Sequence, residues 1–200
     1  MLMMRRIAVV FVCLVALAAP AVATPLTYAA YLSGPNESPA NASPATGVAL
    51  VTIDAATHFM EIDMTFQGLL AGNTASHIHV INGPGDANTA DTLGPVATTT
   101  PTFPGFPSGA TDGFYHNIFN TTLASTYRAG FITDAGGIAA AEAALFAGIT
   151  GGRAYVNIHT SEFPAGEIRG FLQPVPEPGT LLLLSAGIGG LARMRNRRRA

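Results

Sequence analysis

Alternation of apolar and polar positions is the strongest signal along the chain. In FMEIDMTF, at 59–66, Met60, Ile62, Met64 and Phe66 fall on one side, and Phe59, Glu61, Asp63 and Thr65 on the other. A period of two with one apolar face is the pattern of a half-buried strand. The same reading, supported by β-branched and aromatic residues, predicts strands at 26–32, 48–53, 76–81, 113–119, 154–160 and 167–172. Residues 54–57 turn the second strand into the third, and the loop 161–166 joins the last two. IAAAEAALF, at 138–146, is alanine-rich and predicts one helix, with Asp134 as its cap and Gly148 or Gly151 as its stop. Residues 83–111 hold five prolines and a threonine run, so they form no regular element. A loop of that length is a lid, a binding loop or disordered. The sum is an all-β fold, a Greek-key-like β-sandwich or small barrel with one short crossover helix.

The two ends follow a different pattern. At the start, Arg5 and Arg6 precede an apolar run over 7–19, Pro20 breaks it, and Ala21-Val22-Ala23 offers small residues for cleavage after Ala23. This predicts a signal peptide at 1–23, removed by signal peptidase. The run is shorter than the roughly 20 residues of a spanning helix, which argues against a retained anchor. At the other end, Pro176-Glu177-Pro178 is followed by an apolar segment at 179–192 and then by Arg193, Arg195, Arg197, Arg198 and Arg199. Arginines beside a short apolar segment mark the cytoplasmic side. Those three parts in that order resemble the PEP-CTERM sorting signal, which implies an exosortase-type processing enzyme and delivery to the cell envelope or an extracellular polymer. A plain C-terminal anchor is the alternative. The expected organisation is therefore 1–23 leader, 24–174 β domain and 175–200 sorting tail, with membrane contact only through the terminal segments.

Charge separates the body from its ends. The whole chain carries a net −2, but 24–174 holds three arginines against eleven acids, a net of −8, and no lysine. Such a surface argues against nucleic acid or an anionic membrane as partner and leaves cation binding open. The one cysteine, Cys13, lies in the leader, so cysteine catalysis, cysteine zinc sites and disulfides are excluded from the domain.

Three stretches carry a recognisable pattern: LSGPNESP at 32–39 with Ala45-Thr46-Gly47, ASHIHV at 75–80, and AYVNIHT at 154–160 ending in GEIRGFL at 166–172. Together they resemble the CHRD domain, over about 26–173. The resemblance implies an all-β exported domain without an established activity.

Histidine is the best candidate for chemistry. His77 and His79 are two apart on one strand and share a face, about 6.5–7 Å apart at Cα. Ile78 and Val80 point the other way, into the core. In the later strand Val156 and Ile158 point inward, and Tyr155, Asn157 and His159 outward. If the strands adjoin, three imidazoles converge, a set that suits Zn or Cu with an open position. The His-x-His strand is similar to the copper half of Cu/Zn superoxide dismutase, with the long loop as its cover. The chain lacks the spaced His series with Asp and the cysteine pair of that enzyme, and His58 and His116 have the wrong spacing. Structural hydrogen bonding to loop carbonyls is the first role expected of the three histidines, and the metal site is the alternative. Glu37, Asn157, Glu167 and Arg169 read as contacts that lock the fold, with Glu167 and Arg169 paired across an exposed strand face and Glu37 on Arg169 or Arg153. Asp86 and Asp91 lie in a Gly-rich loop that is either solvated or a weak calcium contact. No catalytic residue stands out. The expectation is a non-enzymatic binding or scaffolding module of the envelope or matrix; the alternative is a metal-binding protein or metal-dependent enzyme using His77, His79 and His159.

Overall fold

The computed structural model describes residues 24–86 and 93–176; the leader with Ala23, the tail beyond Pro176 (including Glu177 and Pro178) and Asp91 lie outside them. Eight strands form one antiparallel sheet: β1 Leu26–Ser33, β2 Thr46–Asp54, β3 Phe59–Gln67, β4 Asn73–Val80, β5 Gly113–Asn120, β6 Ala154–Thr160, β7 Ile168–Phe171 and β8 Gln173–Pro174. Their order is β4-β6-β7-β1-β2-β3-β5, with β8 also on β1. The sheet curls toward a half-barrel, as the alternation required: Met60, Ile62 and Met64 of β3 face inward and are buried, as do Ala49, Val51 and Ile53 of β2. The predicted turn is tied by Asp54, whose carboxylate accepts from Ala56 N at 2.8 Å and Thr57 Oγ1 at 2.7 Å.

Two helices, not one, lie between β5 and β6. α1 (Ala129–Ala135) ends at Gly136 with φ +91, and α2 (Ile138–Thr150) starts after Gly137 with φ +135. Asp134 therefore lies inside α1 and does not cap α2, which has no side-chain cap. α1 was not legible because AGFITDA has an aromatic and two β-branched residues, poor helix formers; Phe131, fully buried, anchors it to the core. Gly148 lies inside α2, where a Cβ would sit 2.5 Å from Val80 Cγ1, so glycine lets the helix close on β4. Gly151 ends the helix. Among the described residues no single helix is long and apolar enough to cross a membrane; α1 and α2 pass that test only as a pair, bent by 96°.

The proline-rich segment is a strap rather than a lid. Its first part runs along the free edge of β4: Ala97 N donates to Ile78 O at 2.9 Å, Ile78 N to Thr98 Oγ1 at 3.0 Å, Ser76 N to Thr102 Oγ1 at 3.0 Å and Phe103 N to Ser76 O at 3.2 Å. Threonine hydroxyls stand in where regular ladder bonds are missing. Its second part meets the other edge strand, where Tyr115 Oη and Asn117 Nδ2 both donate to Pro104 O at 3.2 Å. Phe103 fills the gap, fully buried and stacked on Tyr115 at 5.6 Å. The strap thus bridges β4 and β5 and covers the edge of β4 that would otherwise be open.

Phe103→Ala removes that plug. The expected cost is about 3–5 kcal/mol in denaturant unfolding, with faster proteolysis in 93–112. A loss below about 1 kcal/mol would show that the strap does not close the fold.

Candidate metal centre

The outer face of β4, β6 and β7 is largely buried as well, with Ala75, His159 and Phe171 only partly so. β4 and β6 are antiparallel neighbours, with His77 opposite Asn157, His79 opposite Tyr155 and Ala75 opposite His159. β7 continues the rows, placing Arg169 beside Asn157 and Phe171 beside Tyr155. His77, His79, Tyr155, Asn157 and Arg169 are all buried because the strap and the loops at 34–41 and 161–166 cover them. The outward residues expected on this face are therefore a second, polar core.

The three histidines converge. Ring centroids are 5.3 Å apart for His77 and His159, 5.8 Å for His77 and His79, and 6.4 Å for His79 and His159. One ligand nitrogen from each lies within 4.8 Å of the other two. Nitrogens about 2.0–2.1 Å from one ion stand roughly 3.3–3.6 Å apart, so modest ring rotations bring them onto a shared centre.

Each ring is held from behind by a carbonyl. His77 Nε2 donates to Pro101 O at 2.6 Å, His79 Nδ1 to Gly94 O at 2.8 Å and His159 Nδ1 to Pro164 O at 2.9 Å. A carbonyl only accepts, so the proton is on those nitrogens and the lone pairs are on the others. The others are His77 Nδ1, His79 Nε2 and His159 Nε2, all buried and without a partner. Burial lowers His77 and His79 from the ordinary 6.5 to about 4, against the opposing pull of the Pro101 and Gly94 carbonyls, and neighbouring imidazoles lower both further. His159 is lowered for the same first reason. His79 also stacks on Tyr155 at 4.7 Å and 9°. The set has the donor chemistry and outer-shell hydrogen bonds of a transition-metal site.

The fold-locking residues are rearranged relative to expectation. Glu167 is fully buried, not exposed, and takes Ser43 Oγ at 2.7 Å, Leu70 N at 2.8 Å and Thr160 Oγ1 at 2.7 Å. Its oxygens hold two loops and the end of β6 instead of Arg169. Arg169 lies 3.8 Å from Glu37, donates from Nε to Asn36 O at 2.7 Å and covers the Tyr155 ring at 4.8 Å. Burial raises Glu37 to about 7, outweighing Arg169 and the Ser38 amide, which pull it down. Arg153 instead donates to Ile81 O at 2.8 Å.

A second group, Glu61, Asp63 and His116, was not singled out from sequence. It lies on the outer face of β3 and β5, where Asp63 opposes His116 in register and Asp63 Oδ1 sits 2.8 Å from His116 Nδ1. The Glu-x-Asp alternation carried a signal, but only strand pairing brings in the histidine. His58 pairs with Glu142 at 3.0 Å and ties the β2–β3 turn to α2. Asp86 accepts from Asn82 N at 2.7 Å within its own turn.

Residues 28–172 match the CHRD domain, and residues 174–199 match the PEP-CTERM protein-sorting motif. No curated protein matches the chain, and no solved structure does. The sorting motif implies export to the cell envelope through an exosortase-type system. With nearly three quarters of its length matched, the chain belongs to the CHRD domain family, as an exported member with a PEP-CTERM tail.

Proposed function

We propose that this chain is an envelope or extracellular-matrix module that acts by binding and scaffolding, and that its binding centre is a transition-metal site made by His77, His79 and His159. One observation carries the reading: three buried imidazole nitrogens, none of them hydrogen-bonded, lie within 4.8 Å of one another. Such an arrangement is unfavourable unless a cation or a hydrogen-bond donor sits between the nitrogens, and a cation answers all three at once. Imidazoles without thiolate or carboxylate suit Zn or Cu rather than Ca or Mg. The net −8 of 24–174 raises the local concentration of cations around the domain. In this reading signal peptidase cleaves after Ala23, the exosortase-type enzyme trims at Pro176-Glu177-Pro178, and the domain is handed to the envelope or its polymer. The membrane is touched only by the terminal segments.

Elemental analysis of the protein purified without a histidine tag is expected to find one Zn or Cu per chain, lost in His77→Ala. Metal-free protein whose stability ignores both EDTA and added Zn or Cu would overturn the site.

The metal-stripped protein also has a defined pH response. His77 and His79, lowered to about 4, bind fewer protons folded than unfolded between about pH 4 and 6.5, so their contribution makes stability fall as pH drops through that window. Glu37, raised to about 7, acts oppositely between its ordinary 4.5 and 7 and offsets part of one imidazole. With His159 also lowered, the histidines outnumber the carboxyl. Denaturant midpoints are expected to fall from about pH 7 to about pH 5, and more steeply in Glu37→Gln. A flat profile would contradict neutral buried imidazoles.

Deleting Pro176-Glu177-Pro178 is expected to leave an unprocessed, membrane-bound form in the native host, read by electrophoresis of membrane fractions. Normal trimming of that variant would refute the sorting assignment.

A further inference from the structure

Among the described residues five buried side-chain atoms have no hydrogen-bond partner, and all five gather at one place. Three are the histidine nitrogens. The other two are Asn157 Oδ1 and Glu37 Oε1. Asn157 lies opposite His77 in the β4–β6 register, and its side chain reaches hydrogen-bonding range of the His79 ring. Glu37 lies just behind it. A Cβ on Gly166 would stand 2.4 Å from Glu37 Oε1 and 3.1 Å from Asn157 Nδ2, and glycine at φ +132 leaves that space clear. A cleft of about 270 Å³, lined by Glu37, Asn41, Phe163, Pro164 and Gly166, opens beside these groups. Pro164 is also the residue whose carbonyl holds His159.

A cation held by the three nitrogens alone leaves the amide oxygen unmet. A water on that cation answers both, because its oxygen faces the metal and its O–H donates to Asn157. Buried acceptors in native proteins are met in this way. We infer that the three-histidine centre keeps a fourth, exchangeable position on the side of Asn157, and that Asn157 Oδ1 makes this position select ligands that carry a hydrogen-bond donor, such as water or an amine, over anions that only accept. In this proposal Asn157 acts as a positioning residue on the fourth ligand rather than on the cation. Its carbonyl dipole turns its negative end to the incoming group, so it favours an O–H or N–H and repels an acceptor.

The fourth position rests on the three-histidine reading, and Co(II) separates the two. The full chain, purified in detergent without a histidine tag, is titrated with Co(II) and then with azide, an anion with no donor, while the visible absorption bands are followed. The expected result is one Co(II) per chain, with bands that shift as azide enters, weakly in the wild type. Asn157→Ala is expected to keep one Co(II) and to bind azide about 10-fold more tightly or better, in the range outer-shell changes produce. Asn157→Asp restores an acceptor and is expected to return azide binding to the weak level. Absence of Co(II) uptake by the wild type would overturn the histidine centre and the fourth position with it. Co(II) uptake with bands that azide never moves would overturn the fourth position alone. Equal azide affinity in wild type and Asn157→Ala, or loss of Co(II) from Asn157→Ala, would overturn the role given to Asn157.

Discussion

Three backbone carbonyls, those of Gly94, Pro101 and Pro164, decide the chemistry of this molecule. Each accepts the one N–H of a buried imidazole and so determines which nitrogen is bare. Without them the rings would be free to pick tautomers that bond one another, and the centre would quench itself. With them, every free lone pair is turned inward. Burial then keeps the rings neutral, which a metal ligand must be.

Those carbonyls come from the same segments that complete the fold. The strap that carries Gly94 and Pro101 also lies on the free edge of β4 and delivers Phe103 to the gap before β5. Proline suits it: it has no N–H to satisfy but keeps a carbonyl to offer. The loop that carries Pro164 is clamped at both ends by Thr160 and Glu167, which bond each other at 2.7 Å. Closing the half-barrel and orienting the histidines are thus one structural event. Damage to the strap is felt at the centre as well as in the core.

The cost of this design is a polar layer buried on the outside of the sheet. Most of that layer is satisfied. Glu167 meets three donors, and Arg169 lies between Glu37, the Asn36 carbonyl and the Tyr155 ring. Among the described residues the unmet atoms are confined to the histidines, Asn157 and Glu37. Structural polar networks are normally completed, because a half-satisfied network is worse than an apolar core. Incompleteness gathered at a single point, in a layer otherwise closed, is the feature on which the proposed metal site rests.

The strands were legible because alternation on a half-buried sheet is written directly in the residues: Met60 to Phe66 and Ile78 with Val80 could face only one way. The shared face of His77 and His79 follows from the same period of two. So does the isolation of the acidic, lysine-free body from its arginine-bearing ends, which depends on composition alone. The adjacency of β4 and β6 was not legible, since 73 residues separate Val80 from Ala154 and strand pairing is settled by how the whole sheet closes. Nor was the burial of Tyr155, Asn157, Glu167 and Arg169, which alternation assigned to the outer face. Only the strap and loops folding back over that face removed it from water, and with it gone the histidines changed from exposed residues on a strand into a pocket of unanswered lone pairs.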